Sequence, residues 1–340
     1  MTFDPEGHFS KNSSVFGLPK DMDAKLYILP SPWEPTTSFK KGCKNGPESI
    51  FEASKQIDLY HPYFKKIYDR GIQWSSSTAD KISDLNDKAS VLCDNIQKAL
   101  DEEKAPNQKI IARANDLSNT YNTCVYNESL DLLEKNKTVG LVGGDHSAPF
   151  GLIKALSEKH KGEFSIVHLD AHFDFRDAYQ GFIHSHASIM YNVRTKLKTP
   201  PSLYQLGLRD FCESEYSFAH ENSKFILDQE FQKLKFLGKP LSQILDRFFE
   251  DLNENIYISF DIDGLSPEFC PNTGTPVPGG LSYHEADFII QELHRRGHKL
   301  IGFDLVEVSP NRSLNAFGEG IDEVTAVRLL YALSCFALSS

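Results

Sequence analysis

From residue 138 onward the chain is built of short apolar runs, at 138–142, 164–169, 203–208, 225–227, 256–260 and 299–305. Each run ends in charged or glycine-rich residues and is followed by a helical pattern. Near-continuous apolar strands alternating with helices specify a mostly parallel sheet covered on both faces, because a half-exposed strand would alternate polar and apolar residues instead. Open sheets of this kind bind ligands beyond the carboxyl ends of their strands. The polar clusters of this chain stand at those ends.

Upstream, residues 25–29 read as a first strand, and Pro47 opens a helix running to about Lys55. Two long amphipathic patterns at 79–103 and 110–135 predict helices, separated by Ala105-Pro106-Asn107. Residues 1–24 are polar and irregular and are expected to form a surface arm. The rest, 25–340, reads as a single catalytic domain. The 340 residues are 40% hydrophobic and 24% charged, ordinary values for a globular protein. No apolar run approaches the ~20 residues of a membrane span, and the first residues lack the basic start and apolar core of a secretory signal. The six cysteines are scattered without a CxxC spacing, which points to reduced thiols and a cytoplasmic setting. A net charge of −11 argues against a nucleic-acid partner and leans toward a cationic ligand.

Three strand ends carry the chemistry. In Asp170-Ala171-His172-Phe173-Asp174 the ionisable residues alternate, so an extended backbone sets all three on one face. Such a set is costly to desolvate unless a cation joins it. Alone it is as compatible with capping acids at a polar strand end. The second element, Asp261-Ile262-Asp263, repeats the spacing, and the third, Gly143-Gly144-Asp145-His146-Ser147, offers a histidine where paired glycines allow a tight turn. Mixed Asp and His ligation suits Mn, Fe, Co, Ni or Zn. His146, Asp170, His172, Asp174, Asp261 and Asp263 together are enough for two ions, a pairing that generates hydroxide from a shared water at neutral pH.

These three elements, with Gly274-Thr275-Pro276-Val277-Pro278-Gly279-Gly280-Leu281 after the last, closely resemble the metal motifs of the ureohydrolases, the arginases, agmatinases and their relatives. The resemblance spans about residues 26–330. It implies a three-layer α/β/α sandwich, two divalent ions per chain, usually manganese (Ni2+, Co2+ or Fe2+ being alternatives), and a homo-oligomer, a trimer or hexamer. Carried over residue by residue, it places His146, Asp170, Asp174 and Asp261 around one ion or between the two, with His172 and Asp263 on the other side. It implies that Asp174 also passes a proton to the leaving nitrogen, that Glu307 pairs with a substrate guanidinium, and that His186 shuttles protons. A carboxylate suits a guanidinium because two parallel hydrogen bonds fix the planar cation, and a histidine suits a shuttle because it titrates near neutrality. His184 is the rival for that role. His168 reads as a hydrogen-bonded core residue, Asp304 as a structural neighbour of Glu307, and Thr275 as a contact to substrate or to a ligand.

The segment Phe175-Arg176-Asp177-Ala178-Tyr179-Gln180-Gly181-Phe182-Ile183 lacks the Asn and Ser/Thr grip with which arginases hold the amino-acid head, and Cys212 stands where they tend to place an acid. A small cationic guanidino substrate without that head, agmatine first, is therefore expected. Formimidoylglutamate, guanidinobutyrate, guanidinopropionate, free guanidine and arginine stay open, as does a substrate carboxylate for Arg176 in place of a surface salt bridge. Segments 64–120 and 311–320 depart from the agmatinase pattern and are expected to shape the mouth of the site. Two readings from other classes are a zinc-dependent amine deacetylase, which needs one metal and fewer ligands, and an inactive metal-binding scaffold.

Overall fold

A computed structural model describes residues 4–7, 13–20, 23–75, 77–310 and 320–340. Eight strands form one sheet: β1 (Leu26–Ser31), β2 (Ile72–Trp74), β3 (Thr138–Gly143), β4 (Ser165–Leu169), β5 (Ser202–Leu208), β6 (Lys224–Leu227), β7 (Asn255–Asp261) and β8 (Lys299–Val306). Their order is β2-β1-β3-β8-β7-β4-β5-β6, and every pairing is parallel, so the mostly parallel expectation understates the regularity. The six runs read from the sequence are β3 to β8 and 25–29 is β1. The short β2 was missed, since three residues carry no periodicity.

Helices cover both faces. On one, α1 (Gly46–Ala53), α7 (Asp228–Phe236), α8 (Leu241–Phe248), α9 (Tyr283–Arg295) and α10 (Ile321–Ser339) pack a core that includes Phe231, Phe248, Ile290, Phe303 and Phe336. On the other, α2 (Ala79–Asp101), α3 (Gln108–Glu134), α4 (Phe150–His160), α5 (Ile189–Lys196) and α6 (Glu213–Asn222) pack Leu117, Leu152, Phe164, Phe173 and Tyr257. The three-layer sandwich follows from the strands themselves, whose central members are apolar toward both layers. No helix among the described residues is long and apolar enough to cross a membrane.

One expectation changes. Val15, Phe16 and Leu18 are fully buried in the first of these cores, so residues 13–18 are not a surface arm. Their apolar character was hidden between polar neighbours. Segment 64–120 supplies β2, α2 and the first turns of α3, while 311–319 lies outside the described residues.

Candidate metal centre

Four adjacent strands, β3, β8, β7 and β4, aim their carboxyl ends at one place. His146 follows β3, Asp170 to Asp174 follow β4, Asp261 ends β7 with Asp263 just beyond, and Glu307 follows β8. Parallel pairing in register therefore gathers residues far apart in the chain. The glycines before His146 serve close approach rather than a left-handed turn. A Cβ at Gly144 would stand 1.8 Å from the Trp33 carbonyl oxygen, and neither Gly143 nor Gly144 has positive φ.

All six expected ligands converge. Nδ1 of His146 lies 2.9 Å from Asp170 Oδ2, 3.1 Å from Asp174 Oδ2 and 3.2 Å from Asp261 Oδ2. Nδ1 of His172 lies 3.3 Å from Asp170 Oδ1 and 3.2 Å from Asp263 Oδ2. Asp170 thus turns one oxygen to each cluster. His146 Nε2 meets Ser259 Oγ at 3.0 Å, whose hydroxyl donates to Asp304 Oδ1 at 3.1 Å, while Tyr257 donates to Asp304 Oδ2 at 2.6 Å. Asp304 therefore sits behind His146. With His146 Nε2 engaged by Ser259, Nδ1 is left among three carboxylates, and among the described residues neither it nor Asp174 Oδ2 has a hydrogen bond of ordinary geometry.

The electrostatics point the same way. Burial, and then the charge of Asp170, pushes Asp174 up to about 7. Burial with the charges of Asp263 and Asp170 raises Asp261 well above the carboxylate range, and burial with Asp145 and Asp263 raises Glu307 likewise. Burial opposes charge on His146 and His172, but their carboxylate neighbours override it and hold both well above the usual histidine value. The cluster is short of positive charge, and two donor groups, each compact within 4.8 Å, can take it up: His146, His168, Asp170 and Asp174, and Asp170, His172 and Asp263. The residues fit a pair of divalent ions.

A cavity of about 210 Å³ opens onto this cluster, lined by His172, Asp174, His186 and Thr275 with Ser38, Arg176, Tyr179, Phe211 and Cys212 among the other walls. His146, Asp170, Asp261, Asp263 and Glu307 lie behind these, each at most 5% exposed. Glu307 Oε1 accepts from the backbone N–H of His146 at 3.0 Å, and Thr275 donates to Asp263 Oδ2 at 3.2 Å. Asp174 and Glu307 both hold left-handed backbone, φ 56° and 61°, a conformation that non-glycine residues keep only where the surroundings enforce it.

Of the two candidate shuttles, His186 lines this cavity, its ring edge-on to Tyr179 and its Nε2 3.4 Å from Ser38 Oγ. Burial, with the charge of His172, lowers it to about 4. His184 instead packs against Phe150 and opens to a different cavity between α3 and α4. Arg176 faces the pocket but is tied by Nε to the buried Glu215 at 2.9 Å.

Several contributors escaped sequence reasoning. Thr36 donates to Asp145 Oδ2 at 2.9 Å and accepts from the His186 N–H at 3.0 Å. Asn115 of α3 clamps the rim loop, donating to the Gly181 carbonyl at 3.0 Å and accepting from the Ile183 N–H at 2.8 Å. Gln97 of α2 reaches Gln180 at 3.0 Å. Segment 64–120 thus meets the rim through the faces of α2 and α3. All six cysteines are free, and Cys212 is the one not fully buried.

The sequence pattern of the arginase family matches residues 24–335. An N(1)-aminopropylagmatine ureohydrolase of Thermus thermophilus is 29% identical over 91% of this chain and 89% of its own. An agmatinase of Bacillus subtilis is 29% identical over 86% and 85%. Among solved structures, the agmatine ureohydrolase of Thermoplasma volcanium superposes with a TM-score of 0.69 at 21% identity, covering 93% of this chain and 90% of that one. The proclavaminate amidino hydrolase of Streptomyces clavuligerus gives 0.71 at 22%, covering 98% and 100%. At those identities the two structures speak for the fold alone.

Proposed function

This chain belongs to the arginase family, and on that premise we propose that it hydrolyses a guanidino carbon–nitrogen bond and releases urea, with agmatine or its N-aminopropyl derivative as substrate. The observation that carries the reading is the convergence of His146, Asp170, Asp174 and Asp261 on one point and of Asp170, His172 and Asp263 on its neighbour. These six residues would hold two divalent ions, manganese first and Ni2+, Co2+ or Fe2+ as alternatives. Bound there, the ions would supply hydroxide by lowering the pKa of a shared water toward neutrality.

The remaining work falls to side chains. Asp174, which belongs to the cluster and also lines the cavity, is placed to hold the nucleophile and to deliver a proton to the leaving nitrogen. The buried Glu307 has no cation partner among the described residues, and a guanidinium would supply one through charge-assisted hydrogen bonds. His186 lines the cavity, but burial lowers it to about 4, away from the near-neutral titration expected of a shuttle, so its part is that of a neutral imidazole offering one N–H and one lone pair to a bound substrate or water. The family relatives are named for amine-bearing guanidines, and Arg176 is already paired with Glu215. Both favour a substrate without a carboxylate. A cytoplasmic homo-oligomer, a trimer or hexamer, belongs to the same proposal.

Incubating the metal-loaded protein with agmatine, N-aminopropylagmatine, guanidinobutyrate, formimidoylglutamate, guanidine and arginine, while assaying urea and formamide, tests the reading. Urea from the first two at the highest kcat/KM is the expected result. No product from any compound would overturn it, and elemental analysis giving one zinc per chain would favour the deacetylase class instead.

A further inference from the structure

We propose that His168 is a positioning residue for the bridging carboxylate, its proton locked on Nε2 by Gln205, and not a third imidazole ligand. The inference rests on the two-ion reading above and concerns residues that reading leaves without a role. His168 is fully buried in β4, directly opposite Gln205 of β5 in the parallel register. Its Nε2 lies 2.9 Å from Asp170 Oδ2, and its Nδ1 lies 2.9 Å from Gln205 Nε2.

The tautomer follows from what each atom is able to do. The Gln205 amide nitrogen also donates to the Phe173 carbonyl oxygen at 3.0 Å. A carbonyl oxygen only accepts, so the NH2 group, not the amide oxygen, must face this side. The same NH2 group then meets His168 Nδ1, which must present a lone pair. The single proton of the neutral imidazole is therefore on Nε2, where it donates to Asp170 Oδ2.

Both ring nitrogens are used, and no lone pair is left for an ion, although proximity alone groups His168 with His146, Asp170 and Asp174. The oxygen it holds is the one facing His146, whereas Asp170 Oδ1 faces His172 and accepts that residue's N–H at 2.6 Å. His168 thus fixes the rotation of Asp170, and with it the oxygen offered to the ion on the His146 side. Gln205 acts twice, because the Phe173 carbonyl it holds immediately precedes Asp174 with its left-handed backbone. Partners of this kind typically govern metal affinity by about 10–100-fold.

The test is a titration of the full-length protein with Mn2+ after chelator treatment. It is read as ions per chain by elemental analysis, as two dissociation constants by calorimetry, and as the spin-coupled pair by electron paramagnetic resonance. Wild type should take two ions. His168→Phe should weaken the ion on the His146 side by about 10–100-fold, keep the other, and lose the coupled signal. His168→Gln, which restores an N–H donor, should recover most of the affinity. Gln205→Leu should weaken the same ion by a smaller factor, and it carries the test if His168→Phe fails to fold. Wild-type affinity for both ions in His168→Phe, or in Gln205→Leu if that variant stands in for it, overturns the inference alone. Equal loss in His168→Gln and His168→Phe overturns it in favour of direct ligation. A wild type that never holds two ions defeats the parent reading, and this one with it.

Discussion

The floor of the site and its rim are built by opposite means. The floor comes from four neighbouring strand ends, its side chains tied to one another and to buried partners such as Ser259, Asp304 and Gln205. The rim comes from loops, residues 34–44 and 175–187, which hold their shape through contacts to other elements. Thr36 joins the two loops, Asn115 and Gln97 of the neighbouring helices grip the second, and Asn192 donates to the Ile183 carbonyl at 2.9 Å. A strand end cannot shift without disturbing the sheet, while a loop is free to change its lining residues as long as its clamps remain. Under the proposed function, reaction type would belong to the floor and substrate choice to the rim.

That contrast is open to test. The largest effect is expected from Asp174→Asn, which should cut kcat by about 10⁴-fold by removing the proton carrier, with the far-ultraviolet spectrum unchanged; retained turnover would remove Asp174 from the chemistry. Glu307→Gln should lower kcat/KM by roughly 100-fold, the worth of a charge-assisted hydrogen bond pair, while two ions per chain remain bound. On the rim, Asn115→Ala should raise KM by less than about tenfold, the scale of one or two neutral hydrogen bonds, with kcat nearly constant; a collapse of kcat would mean the rim takes part in catalysis. The smallest effect concerns His184, which burial lowers to about 4 from an ordinary 6.5. Between those values the unfolded chain binds more protons than the folded one, so the stability present above pH 6.5 is lost as pH falls toward 4. Urea denaturation across that window should show a shallower pH dependence in His184→Asn than in wild type.

The floor was legible in the sequence because apolar strands announce their own ends. The alternation expected of an extended backbone is not what assembles it: β4 ends at Leu169, Asp170, His172 and Asp174 lie on the loop beyond it with Asp174 in left-handed backbone, and Asp263 sits in a single 3-10 turn after β7. The choice of His186 over His184 rests on a resemblance alone; the structure sets the two rings in different cavities, His186 in the one beside the cluster. The supports were not legible. Gln205 and Tyr257 sit in ordinary strand positions, and their partners, His168 and Asp304, become neighbours only once register is set. Thr36 and Asn115 meet the rim from 150 and 66 residues away, and no local pattern marks them. Val15, Phe16 and Leu18 were misread because burial of a short irregular stretch leaves no period.

The strand order also fixes when the site comes into being. β3 and β4 are made early, but the two strands that lie between them, β8 and β7, are the last of the sheet to be synthesised. Until β8 arrives, β3 and β7 present unpaired edges in the middle of the molecule, the arrangement most exposed to wrong pairing between chains. His146 and Glu307, 161 positions apart in the chain, meet only when that gap closes. The residues that would hold the ions are therefore brought together only once β8 has entered the sheet between β3 and β7. A chain stalled short of β8 has four of the six ligands if β7 is also missing, and no floor to hold them.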